Sequence, residues 1–268
     1  MSHYSDIGFN VKNPQDIQRI VDTFCNPNFL ERNKETSYVM SWNIQDNSNS
    51  VLQLFKFKDL RVFSKINLQE NTLTDFFVGH ENQNISKVSV EKNPIKKTDD
   101  KGFPTLNFLS AEEIPFWVTC FNADIFWFDK KDTADIKLVS YANYIEEIKE
   151  SSKPEKSLDS VSKIDSNNVI SAIQQMGYKM ADESYISCFY DDITTSWLSG
   201  VIQDFKLLEN PISNNKYYAI DIVCLGLKIK LLVDPKIFDS TLLAKGKVIC
   251  GEFWNTGILV ADNHPDYF

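Results

Sequence analysis

Hydrophobic residues recur along this chain at two spacings, and the spacing changes early. From Ile17 to Phe24 the apolar positions Ile17, Ile20, Val21 and Phe24 fall on one stripe of a helix. Asn13 stands where an N-cap is needed, Pro14 suits the first helical position, and Asp16 completes a capping box. From Ser37 onward the pattern alternates instead. In "SYVMSWNI" Tyr38, Met40, Trp42 and Ile44 share one face of a strand, and "VLQLFKFK" and "LRVFSKIN" continue as short strands broken at Asp59. "QDNSNS" between them has the composition of a loop. "ISKVSVE", "PTLNFL", "IPFWVTCF" and "ADIFWF" extend the series, whereas "TADIKLVSYANYIEEIKE" reads as a strand end running into a helix that buries Val139, Tyr141 and Tyr144 or Ile145.

The stretch "SSKPEKSLDSVSKIDSNN" is rich in Ser, Lys, Asp and Asn, the composition of a solvated connector, and "NNVISAIQQMGY" after it has helical spacing. This divides the chain into an α+β domain over 1–150, a connector with a short helix over 151–185, and a second domain over 186–268. The first domain is expected to be a mainly antiparallel sheet with packed helices.

The last eighty residues predict a small barrel. "WLSGVIQDFKLLEN" is a long strand with Gly200 inside it, where a barrel strand bends. "KYYAIDIVCLGLKIKLLVD" is a hairpin turning at Leu225-Gly226. That register sets Cys224 against Leu227, Ile222 against Ile229, Ile220 against Leu231 and Asp221 against Lys230. "PKIFDSTLL" gives a short helix or turn. "GKVICGEFWNTGIL" is expected to close the domain as a strand, a turn at Asn255-Thr256-Gly257 and a last strand, in the order of an OB-like β-barrel.

The segments "ESYISCFYDD", "WLSGVIQDFKLLENP" and "KGKVICGEFWNTGIL", with the opening "MSHYSDIGF" and "IKLVSYANYIEEI", resemble an uncharacterised family of bacterial two-part proteins. In that family a glycine, a Phe-Trp or similar pair and a glycine-containing turn end the chain. Here Asn255-Thr256 stands where Leu-Ser is more usual before Gly257. The resemblance implies a two-part architecture of unknown function and no catalytic residue.

Charge narrows the function classes. The chain has 268 residues and a net charge of −9, from 37 acidic and 28 basic residues. Only Arg19, Arg32 and Arg61 are arginines, so the planar fork favoured for phosphate and base edges is absent beyond position 61. Residues 186–268 carry ten acids against seven lysines. Five scattered cysteines without a C-x-x-C spacing read as small buried hydrophobes, and no apolar run is long enough to span a bilayer. These features predict a cytoplasmic protein.

Candidate chemistry is sparse. His80 beside Glu81 is the pair a hydrolase or metal site would use, and Asp262, His264 and Asp266 could hold a divalent ion, but a polar loop and a polar tail explain them as well. The adjacent carboxylates point apart on any regular element. No G-x-S-x-G, H-E-x-x-H or phosphate-cradling glycine loop occurs, so neither enzyme activity nor a cofactor nor a metal is expected. The barrel invites single-stranded nucleic-acid binding as an alternative, with Tyr217 stacking and Lys228 and Lys230 on the same outer face. Trp254 is a further surface aromatic candidate, and Trp197 is another. The leading expectation is a non-enzymatic binding protein with a protein partner, in one version immunity- or antitoxin-like.

Overall fold

The computed structural model describes residues 3–26, 28–29, 37–44, 47–90, 103–110, 113, 115–123, 133–147, 185–188 and 195–260. The first ordered piece is a 3₁₀ turn, His3–Ile7, followed by α1, Pro14–Phe24. The cap of α1 forms as its sequence dictates. Asn13 accepts from the Asp16 amide at 3.1 Å, and the Asp16 carboxylate accepts from the Asn13 amide at 3.3 Å. Ile20 and Phe24 are the buried residues of its apolar stripe.

Four strands then form an antiparallel meander in the order β1-β2-β3-β4. They are β1 (Ser37–Ile44), β2 (Asn47–Phe57), β3 (Leu60–Asn67) and β4 (Thr72–His80). β2 starts inside the stretch expected to be a loop. Nine more strands make a second sheet: β5 (Ser86–Val90), β6 (Thr105–Leu109), β7 (Pro115–Cys120), β8 (Thr133–Glu147), β9 (Tyr185–Cys188), β10 (Thr195–Glu209), β11 (Lys216–Cys224), β12 (Leu227–Val233) and β13 (Val248–Val260).

This sheet closes on itself twice. β8 and β13 pair antiparallel over twelve positions, from Ile249 opposite Glu147 to Val260 opposite Asp135. On one side of this shared wall the ladder runs β13-β10-β11-β12 and returns to β8, with β12 parallel to β8. On the other it runs β13-β7-β6-β5 and returns to β8, with β7 parallel to β13. The two long strands therefore serve two five-stranded rings, and closure leaves few free edges to aggregate.

Three expectations need correction. The fold is mostly β, not an α+β domain with packed helices followed by a separate OB-like barrel; among the described residues only α1 and the pair Asn28 and Phe29 are α-helical. The segment taken for a helix is β8, a fifteen-residue strand. Its alternation was there to read: Ile136, Leu138 and Ala142 enter one core while Val139 and Tyr141 enter the other. Pairing along its whole length outweighs the helix-forming Glu and Lys at its end. Second, residues 186–268 do not close a ring alone, because the wall facing β13 and β12 is supplied by β8. Third, β13 is one unbroken strand. Gly257 lies within it, opposite Leu138, and not at a turn with positive φ. The 151–185 connector and its helix fall almost wholly outside the described residues.

Other local readings hold. The β11–β12 hairpin has the expected register, including Asp221 opposite Lys230, and turns through Leu225 (φ 50°) and Gly226 (φ 77°). Both positive φ values are what a two-residue turn matching the strand twist requires. β10 changes partner from β13 to β11 at Val201, next to Gly200, where an added Cβ would lie 2.7 Å from Ile222 Cδ1 and 2.9 Å from the Val223 carbonyl oxygen. After β12, a turn and a short 3₁₀ segment capped by Asp239 fill the "PKIFDSTLL" stretch.

Two cores result. One fills the rings, with Leu138, Leu198, Ile220, Ile229, Ile249 and Phe253 among its residues. The other lies between the rings' outer surface and the layer made of the meander, α1 and the N-terminal turn, and brings Phe63, Phe77, Phe121, Tyr141 and Tyr217 together. Buried asparagines stitch the connections. The Asn122 side chain donates to the Leu259 carbonyl (2.8 Å) and accepts from the Leu259 amide (2.9 Å), as a strand neighbour would. Asn210 donates to the Ile7 carbonyl (2.6 Å) and accepts from the amides of Ile212 and Ser213, locking the N-terminal turn onto the β10–β11 loop.

Candidate functional site

The residues that sequence suggested for binding do not share one exposed face. Tyr217 is 1% exposed, edge-on to His80 with ring centroids 5.7 Å apart. The meander covers the hairpin face on which it stands, so Tyr217 cannot offer its ring to a base. Lys228 is exposed, and its amide is hydrogen-bonded to Ser86 Oγ at 2.8 Å. Lys230 is half-buried and tied to Asp221 at 2.9 Å. Trp254 points into the second core, where its ring meets His3 (4.9 Å), Phe77 (5.4 Å) and Tyr141 (5.6 Å) and its indole N–H donates to Thr119 Oγ1 at 3.2 Å. Its strand neighbour Phe253 fills the ring interior instead, as alternation demands.

His80 is not in a solvated loop. It ends β4, is buried, and its Nδ1–H donates to the Glu81 carbonyl at 2.6 Å, leaving Nε2 buried without a partner. Burial pushes its pKa down to about 4. The Glu81 carboxylate is engaged by Arg61, whose guanidinium also donates to the carbonyls of Lys58 (2.7 Å) and Leu60 (2.8 Å). The pair is thus a structural corner joining β2, β3 and β4. Asp262, His264 and Asp266 lie outside the described residues. Among the described residues no three His, Cys, Asp or Glu side chains are grouped to hold a metal.

The N-terminal turn carries a second set of buried titratable groups that the sequence did not reveal. His3 stacks on Phe77 (4.7 Å) and stands edge-on to Tyr141 (5.3 Å), and burial lowers its pKa to about 3. Asp6, 4% exposed, accepts from the Asp234 amide at 3.3 Å. Burial pushes its pKa up to about 8, and the neighbouring Asp234 carboxylate adds to the rise. An acid kept neutral and an imidazole kept neutral suit an apolar interlayer closed to solvent. Beside this turn opens a shallow cleft of about 160 Å³, lined by Ser5, Gly8, Asn215, Lys216, Asp234 and Lys236 among others.

Large apolar side chains do reach solvent elsewhere: Leu68, Leu73, Ile85, Tyr144 and Leu207 are exposed. One of them belongs to an ordered constellation. Across β10, β13 and β8, Trp197 stands opposite Glu252 and Glu252 opposite Tyr144. The two rings lean together with centroids 6.2 Å apart and planes at 34°. Reading Tyr144 as the buried side of a helix hid this row; the alternation along β8 was the signal that reveals it.

No family model, curated protein or solved structure matches the chain. Among the described residues no helix is long and apolar enough to cross a membrane.

Proposed function

We propose that this protein is a non-enzymatic binding protein that docks onto another protein bearing a basic surface, in the manner of an immunity or antitoxin protein covering a toxin. The observation that carries the reading is the combination of a net charge of −9 with large apolar side chains left exposed, Leu73, Tyr144 and Leu207 on strands and Leu68 and Ile85 in the connections. Acidic surface steers a basic partner, and exposed aromatic and aliphatic groups supply the desolvated contact. His80 adds support, since it is buried with its Nδ1–H held by the Glu81 carbonyl. Cys25, Cys120, Cys224 and Cys250 form no disulfide, and the last three are buried, which suits a reducing compartment such as the cytoplasm.

Affinity purification of the intact protein from its native host tests the reading. The expected result is a stoichiometric basic protein, released as salt is raised. Absence of any partner above background across several growth conditions would count against it.

A further inference from the structure

We infer that the double ring is an internalised homodimer: two copies of one four-strand unit, β5 to β8 and β10 to β13, joined in a single chain and related by a two-fold axis through the shared wall. Within the first unit β5 pairs with β6, β6 with β7, and β8 returns to lie beside β5, all antiparallel. Within the second, β10 pairs with β11, β11 with β12, and β13 returns to lie beside β10, again all antiparallel. Each is a Greek key, three consecutive strands with a fourth beside the first.

Contacts between the units obey the same exchange. The two fourth strands, β8 and β13, pair with each other. The third strand of each unit lies parallel to the fourth strand of the other, β12 along β8 and β7 along β13. Exchanging the units therefore reproduces every pairing of the double ring with its sense, and β9 alone lacks a counterpart among the described residues of this sheet. The register agrees with the topology. Lys230, Val139, Thr256 and Thr119 stand in one row across β12, β8, β13 and β7, so both parallel seams meet the wall at the same level and the axis passes between Val139 and Thr256. The faces agree as well: Val118 and Ile136 of the first unit enter the rings' core, and so do Ile229 and Phe253, which the axis sets in their places. A self-complementary surface of this kind is what a two-fold dimer interface requires. Neither ring closes without a strand of the other unit, and fusion in one chain frees that pairing from protein concentration. With one unit disabled, the wall of the other is open to the same unit of a second copy of this chain.

The test disables one unit in the full chain. Val118 is fully buried on β7, and Val118→Asp places an unpaired charge in the core of the first unit. The expected product is a dimer by light scattering, in which hydrogen exchange keeps β10 to β13 protected while β5 to β7 exchange on the order of a hundredfold faster than in wild type. Ile229→Asp should give the converse dimer, with the first unit protected. Should an Asp variant precipitate, Val118→Ala in moderate urea gives the same reading: a dimer that grows with protein concentration and protects the second unit alone. A monomer that keeps one unit protected, or variants that lose protection in both units without associating, would overturn the inference.

Discussion

Gly251 is the position at which the shared wall is most sensitive to one atom. It stands on β13 opposite Ile145, next to the bulge at which Glu252 pairs with Tyr144 and Phe253 with Ala142. A Cβ built there would run into the Tyr144 carbonyl oxygen and lie 2.9 Å from Ile145 Cα and 3.0 Å from the Tyr144 carbonyl carbon. All three are backbone atoms, so no rotamer change relieves the contact and β8 must move away from β13. Overpacking typically costs about 1–3 kcal/mol, and a clash with backbone belongs at the upper end, so Gly251→Ala should lose about 3 kcal/mol. Gly246→Ala is the control: it has a φ of +83° but open space around it, so only backbone strain of about 1 kcal/mol is expected. Urea titration followed by far-UV circular dichroism measures both. If Gly251→Ala fell within about 0.5 kcal/mol of wild type, or cost less than Gly246→Ala, the close approach of β8 and β13 would be refuted.

At Gly257 a Cβ would meet Ile136 Cδ1 at 2.7 Å and Val118 Cγ1 at 2.9 Å, which are ends of side chains; Gly257→Ala should therefore cost about 1–2 kcal/mol, less than Gly251→Ala, in the same urea titration. Asn122→Ala should cost about 2–4 kcal/mol, because it strands both the amide and the carbonyl of Leu259 in a buried place, and rapid exchange of the Leu259 amide would accompany the loss. Stability should also peak near pH 6.5. Folded Asp6 holds its proton to about pH 8 against 3.8 unfolded, so stability falls by about 1.4 kcal/mol per pH unit as pH rises between these values. His3 and His80 stay neutral down to about 3 and 4 when folded but protonate at 6.5 when unfolded, so each removes a similar amount as pH falls below 6.5. Among these three groups the two histidines outweigh Asp6 below 6.5, and above it Asp6 sets the slope. Asp6→Asn should flatten the alkaline limb in thermal melts; an unchanged limb would show that Asp6 is not the group responsible.

How much of this was legible depended on the range of the interactions involved. The α1 cap and the β11–β12 register are set by neighbours in sequence, and they were readable from Asn13 with Asp16 and from paired faces around Leu225-Gly226. The second ring and the meander's cover over Tyr217 are set by contacts between distant segments, such as Thr256 with Thr119 and Ile229 with Leu138, which no local pattern encodes. The candidate row failed to appear for the same reason. Trp197, Glu252 and Tyr144 lie on three strands far apart in the chain, and each alone reads as an ordinary core or surface residue.

The row, the shared wall and the corrected fold all require residues 133–147 to be a strand between β12 and β13 and not a helix. Backbone NOE spectroscopy of the labelled protein addresses this directly. The account predicts cross-strand contacts of Tyr144 with Glu252, Glu252 with Trp197 and Leu138 with Ile229, with no helical i to i+3 contacts from Val139 to Glu147. A run of i to i+3 contacts over that segment, without the cross-strand set, would contradict it.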